Sequence, residues 1–141
     1  MNIKKLDEDL ATLARKMNEL ASMSYDDVNY DQTEEDLHDL EDEFQDKYGN
    51  YLEEALKAVH DEFCPESEVL LPIAYVAKKY NVKKDKKTGT DSYEVPLGEG
   101  VLVEVDQYLN LETRLVLAPH PTRIILNVNK SHAEVVWQAD Q

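Results

Sequence analysis

Apolar positions along this 141-residue chain follow two different periods. In the first half they recur every three or four residues, and from Gly100 onward every second residue. Ile3, Leu6, Leu10, Leu13, Met17 and Leu20 form a stripe at 3-4-3-4-3 spacing, which predicts one amphipathic helix. Ala11, Ala14 and Ala21 support it as good helix formers. The stripe would lie on a sheet or on a second helix. A coiled-coil seam is the other use of such a stripe, although the run covers at most about three heptads.

Residues 24–33 interrupt the pattern. Asp31 followed by Glu34 reads as an N-cap with its capping-box acid, and a second helix then carries Leu37, Leu40 and Phe44 to Tyr48. Gly49 is a stop signal, and Asn50 three residues before Glu53 is a fresh start. The sequence therefore predicts a break near Gly49. A further helix from Tyr51 to Phe63 would bury Leu52, Ala55, Leu56 and Val59, and Pro65 would end it.

Val69, Leu71, Ile73, Tyr75 and Ala77 alternate as in a strand, while Pro72 could equally open a short helix. The strand is the preferred reading, paired as a hairpin with Ser92–Leu97 across the lysine-rich loop 83–90. Pro96, Gly98 and Gly100 mark the bend that follows.

Four strands are then predicted: Val101, Val103, Val105; Thr113, Leu115, Leu117; Ile124, Leu126, Val128; and Ala133, Val135, Trp137. Turn residues separate them. A two-residue turn at His120-Pro121 sets Leu117 opposite Ile124 and Leu115 opposite Leu126. A second at Lys130-Ser131 sets Asn129 opposite His132, Leu126 opposite Val135 and Ile124 opposite Trp137. A three-residue loop at 109–111 sets Tyr108 opposite Glu112, Val105 opposite Leu115 and Val103 opposite Leu117. All three registers put the apolar residues on one face, and a slip of one residue would turn a whole strand over.

The other face would carry Glu104, Val116, Ile125 and Val136 beside Asp106, Arg114, Asn127 and Glu134, with Asp106 across from Arg114 and Asn127 across from Glu134. It reads either as a solvated face with favourable cross-strand pairs or as an apolar strip rimmed by charge that binds a partner. Another part of the chain could also cover it. The fold class is thus α+β: an N-terminal helical hairpin, its second helix broken near Gly49, packed on a C-terminal antiparallel meander of five to six strands. Residues 1–141 form one domain, with 1–64 the helical layer and 69–138 the sheet.

Charge adds an asymmetry. Residues 1–68 hold 21 acidic and 6 basic side chains, whereas 69–141 hold 9 of each, so the net −15 belongs to the helical half. Direct binding to a nucleic-acid backbone is disfavoured, because it needs clustered Lys and Arg. No run of about 20 apolar residues exists to span a membrane. With one cysteine and no apolar leader, a cytoplasmic location is expected.

Candidate chemistry is sparse. Asp27, Asn29, Asp31, Thr33 and Glu35 stand at the odd positions of a calcium loop, but Gln32 and His38 occupy the places that demand glycine and glutamate. His60 and Cys64 share a helical face without a second ligand pair. The reading is of no metal and no cofactor. No nucleophile elbow or phosphate loop is present, so catalytic residues are not assigned and an enzyme is the less favoured class.

The run 26–46 has 11 carboxylates in 21 residues and no Lys or Arg. The expected function is a non-enzymatic interaction module whose acidic helical face (Glu34, Glu35, Asp39, Asp42, Glu43 and Asp46) meets a basic protein partner. One alternative is a small-molecule binder or modest enzyme with a pocket between helices and curved sheet, using Tyr75, Tyr108, His120 and His132. Another is a homodimer formed through the Val116–Ile125–Val136 strip or the first helix.

Overall fold

A computed structural model describes residues 1–129 and 132–139. Helix α1 (Ile3–Ala21) opens on Asn2, whose side chain accepts a hydrogen bond from the Lys5 N–H at 3.0 Å. Its leucine stripe buries Leu6, Leu10 and Leu13 against helix α2 (Tyr30–Phe63) and the sheet. Ala11 and Ala14, on a second face, are buried as well. Their small side chains let another layer approach closely.

Helix α2 runs unbroken for 34 residues, which corrects the expected break at Gly49. Energetics explain the difference. A glycine inside a helix costs about 1 kcal/mol, whereas each large apolar side chain taken from water contributes about 1.5–3 kcal/mol. Phe44, Tyr48, Leu52, Leu56 and Val59 all depend on α2 keeping its course. The space a Cβ would fill at Gly49 is taken by the Gln45 side chain. The helix also starts two residues earlier than expected: Asn29, not Asp31, is the cap residue, and no side-chain bond caps the end. It stops at Phe63, before Pro65.

Beyond α2, Pro72–Tyr75 forms a 3-10 turn with the proline at its start, and the only strand near this segment is β1 (Asn81–Lys84). The strand expected over 69–77 does not form, because Pro72 fixes a turn and Tyr75 is drawn inward to the end of α2. Strand β1 pairs with β2 (Asp91–Glu94) as a separate hairpin. The main sheet has four strands in the order β3 (Val101–Val103), β4 (Thr113–Ala118), β5 (Arg123–Val128), β6 (His132–Gln138). The fold is α+β with helices packed on an antiparallel sheet.

The register of β4 with β5 is the expected one, with Leu115 opposite Leu126 and Leu117 opposite Ile124. The other two differ. Val101, rather than Val105, faces Leu115, because a 3-10 turn at Asp106–Tyr108 widens the connection. The displacement is even, so Val103 and Val105 stay buried. Asp106 therefore misses Arg114, which lies opposite Leu102 and holds Glu112 at 2.7 Å and the Gly100 carbonyl at 3.0 Å.

Between β5 and β6, Ile124 faces Trp137 as expected, but a bulge at Val136 then sets Ile125 opposite Val135 and Leu126 opposite Glu134. Asn127 faces Ala133 instead of Glu134, and Val128, not Asn129, faces His132. The bulge lets Val136 and Trp137 both lean on the helical side, where Trp137 meets Tyr51 edge-on at 6.0 Å. Val135 is left half exposed instead of buried. The expected turn residues Lys130 and Ser131 lie outside the described residues.

Helices cover one face of this sheet and the β1–β2 region covers the other. Tyr80 and Tyr93 pack on Val116, Ala118 and Ile125, with Ala11 and Ala14 of α1 completing the cluster. Hydrogen bonds pin this layer. The Tyr80 hydroxyl donates to the Leu117 carbonyl at 2.6 Å, Asn18 clasps the Tyr80 backbone N–H and carbonyl at 2.7 and 3.0 Å, and Arg123 donates to the Tyr93 carbonyl at 2.7 Å.

Candidate functional site

The continuity of α2 decides the geometry of the acidic face. Glu35, Asp39, Asp42 and Asp46 follow at steps of four, three and four residues, so they line up along one side of one rigid helix over about 16 Å. That side lies opposite the buried Leu37, Phe44 and Tyr48. Glu35, Asp39, Asp42, Glu43 and Asp46 are exposed and Glu34 is half-buried, so the structure does gather the expected acidic residues on one helix.

Nine carboxylates stand between Asp31 and Asp46, about one per 2.5 Å of helix axis. Duplex DNA carries about one charge per 1.7 Å. Among the described residues, only Asp36 of these nine has a cation within reach, Lys16 at 4.0 Å. The Glu41 carboxyl is held above its ordinary range, chiefly by burial, with Asp42 adding to the rise and His38 opposing it.

The start of α2 takes in three of the five positions of the calcium-loop pattern. Asp31, Thr33 and Glu35 lie in the first turns of α2 and fan around its axis, Thr33 pointing into the protein. The Asp27 carboxylate accepts from the Asn29 N–H at 2.8 Å. Among the described residues, no group of three His, Cys, Asp or Glu is placed to hold a metal ion.

The residues expected on the outer sheet face do not form one surface. Val116 and Ile125 are buried under Tyr80 and Tyr93, and Val136 turns to the helical side. Asn127 is buried with both side-chain polar atoms unpaired. Arg114 is half-buried beside Glu112, Glu134 is half-buried on β6, and Asp106 stands exposed in its turn. What the sequence could not show is the hairpin layer that covers the strip.

The four polar candidates for a pocket are also scattered. Tyr75 is fully buried, where its hydroxyl bonds His60 Nε2 at 2.9 Å and accepts from the Leu70 N–H at 3.0 Å. His60 Nδ1 lies 3.1 Å from the Ser67 carbonyl, an acceptor only, so Nδ1 carries the proton and Tyr75 donates to Nε2. Both ring nitrogens of His60 are thereby used in holding the 64–75 segment to α2. Cys64 is buried beside them, and burial pushes its thiol up to about 11, far from a nucleophilic thiolate. Tyr108 and His132 meet elsewhere, with rings 5.7 Å apart.

His120 sits at a third place. Its Nδ1 lies 2.7 Å from the Asp91 carbonyl, its backbone N–H donates to Asp7 at 2.9 Å, and its Nε2 lies 3.7 Å from the other Asp7 oxygen. Asp7 also accepts from the Thr122 hydroxyl at 2.7 Å. Asp7, Asp91 and His120 border an open cleft of about 510 Å3. Asp7 gave no signal in the sequence, because its partners lie more than 110 residues away in the chain. Between helices and sheet, Leu10, Leu52, Leu56, Leu115, Leu117, Ile124 and Leu126 are each fully buried. No helix among the described residues is long and apolar enough to cross a membrane. Compared with protein-family models, curated proteins and solved structures, the chain shows no match to any.

Proposed function

We propose that this protein is a non-enzymatic interaction module that docks a basic protein segment on the outer face of α2. One observation carries the reading: nine carboxylates on sixteen consecutive residues of a single helix, with one cation among the described residues within 4.0 Å of any of them. Dispersed charge would serve solubility equally well. Charge concentrated on one helical face costs stability by self-repulsion, and a basic partner would relieve it. The buried thiol of Cys64 suits a reducing, cytoplasmic setting. The net charge of −15 works against a nucleic-acid backbone as the partner.

The test is a titration of the full chain with a fluorescent Lys/Arg-rich peptide over a range of salt concentrations. Affinity should fall steeply as salt rises, because exposed charge contacts are screened. It should vanish when Glu35, Asp39, Asp42 and Asp46 are all changed to lysine. Binding that ignores salt, or that survives the fourfold reversal, would defeat the reading.

A further inference from the structure

A second docking surface lies at the β3 end of the sheet, far along the chain from the acidic helix. Among the described residues, strand β3 is an edge strand, paired only with β4. Beside it the 66–70 segment, tied to the sheet edge where Ser67 meets Glu104, borders a groove of about 410 Å3. A neighbouring hollow of about 370 Å3 shares Val103 and Glu104 with it and continues to the 109–111 turn. The two adjoin at Val103 and Glu104 along the sheet edge, and the pair is termed the trough.

Three properties of the trough converge. Its apolar surface is unusually open: Leu102 is 61% and Leu109 71% exposed, and Leu70 and Leu111 are exposed beside them. Its charge is of one sign: Glu66, Glu68, Glu104 and Asp106 line it, Lys and Arg do not, and none of the four has an ion-pair partner among the described residues. Its backbone is available. The Glu104 N–H points away from β4 and donates to the Ser67 hydroxyl at 2.9 Å, while the Val103 carbonyl faces β4 and takes the Thr113 hydroxyl. Alternate residues of a strand present their N–H and C=O to the same side, so those of Leu102 face the trough.

We infer that the β3 edge and its trough take up an extended, strand-forming segment of a partner protein in which basic and apolar residues alternate. Main-chain bonds to Leu102 would hold the segment as an added strand. Its apolar side chains would cover Leu102 and Leu70, and its cations would meet Glu66, Glu68 and Glu104. A partner segment that is acidic meets uncompensated repulsion here. The Ser67–Glu104 bond closes one end of the edge and sets where the added strand stops.

The probe is a labelled peptide of alternating lysine and valine, titrated by anisotropy into the full chain. It should bind, and its glutamate–valine counterpart should not. A fully N-methylated lysine–valine peptide, which cannot donate to a sheet, should bind about tenfold more weakly or worse. Glu68→Lys with Glu104→Lys should weaken binding by a similar factor. Leu102→Lys should do the same and, being on an exposed side chain, should leave the fold intact, as far-UV circular dichroism would verify. Glu53→Lys with Glu54→Lys, which change the net charge by the same amount outside both the acidic face and the trough, should leave binding largely unchanged. If Glu53→Lys with Glu54→Lys weakens binding as much as the trough variants do, net charge alone holds the peptide and the trough inference is wrong. Equal binding of the N-methylated peptide overturns strand addition, and no binding by the lysine–valine peptide overturns the site.

Discussion

Asp39 has a carboxylate at every helical-neighbour position: Glu35 and Asp36 before it, Asp42 and Glu43 after it. In the unbroken α2 these are i−4, i−3, i+3 and i+4 contacts, so all four repel. Each like-charged pair costs about 0.2–0.5 kcal/mol, and an opposite pair gains about as much. Because the face is exposed and screened, the lower figure applies. Changing Asp39 to lysine removes four repulsions and installs four attractions, worth about 1.6 kcal/mol in all. Lysine is also a better helix former than aspartate by a few tenths, bringing the gain to about 2 kcal/mol. In a chain of this length the melting temperature should rise by about 8 °C. Thermal and urea unfolding followed by circular dichroism at low salt would measure it, and about 1 M salt should erase most of the gain. Partner binding should weaken in the same variant, since stability and docking pull in opposite directions on this face. A neutral or destabilising Asp39→Lys, or a gain indifferent to salt, would refute the claim that this helix carries unrelieved repulsion.

Tyr75→Phe strands His60 Nε2 and the Leu70 N–H and should cost about 2–3 kcal/mol by urea unfolding; Tyr108→Phe, whose hydroxyl reaches His132 only at 3.5 Å, should cost almost nothing. Gly49→Ala should stabilise by about 0.5–1 kcal/mol, because only the flexible end of Gln45 must swing aside, and a destabilised variant would show that it cannot. Glu41 holds its proton more tightly folded than unfolded, so it weakens the fold as pH rises through the carboxylate range; Glu41→Gln should therefore stabilise at neutral pH, with the advantage disappearing in acid. Cys64 follows the same sign at higher pH: with its folded value about 11, stability should decline as pH climbs from the ordinary thiol range toward that value, and a thiol reagent at pH 8 should label it only after denaturation.

The elements that local period specifies were legible without coordinates. The 3-4 stripe of α1 and the alternation in β4 and β5 fix which side of each element is buried, whatever it packs against, and the short His120-Pro121 turn fixes how β4 meets β5. The acidic run of α2 was likewise visible as composition. Other features depended on competition between local signals and distant contacts. Gly49 carries every local mark of a helix end, yet the burial of Tyr48 and Leu52 on either side outweighs it, and only that continuity turns scattered acids into a straight face. Val69, Leu71, Ile73, Tyr75 and Ala77 alternate like a strand, but Pro72 opens a turn and a hydrogen bond joins Tyr75 to His60 across fifteen residues. Val116, Ile125 and Val136 read as one strip, whereas a bulge in β6 and the tyrosines of a separate hairpin divide and cover it. Sequence period sets the faces of single elements because a side chain's direction is local. Register, coverage and clefts were settled only in the folded molecule, where elements remote in the chain compete for the same surface.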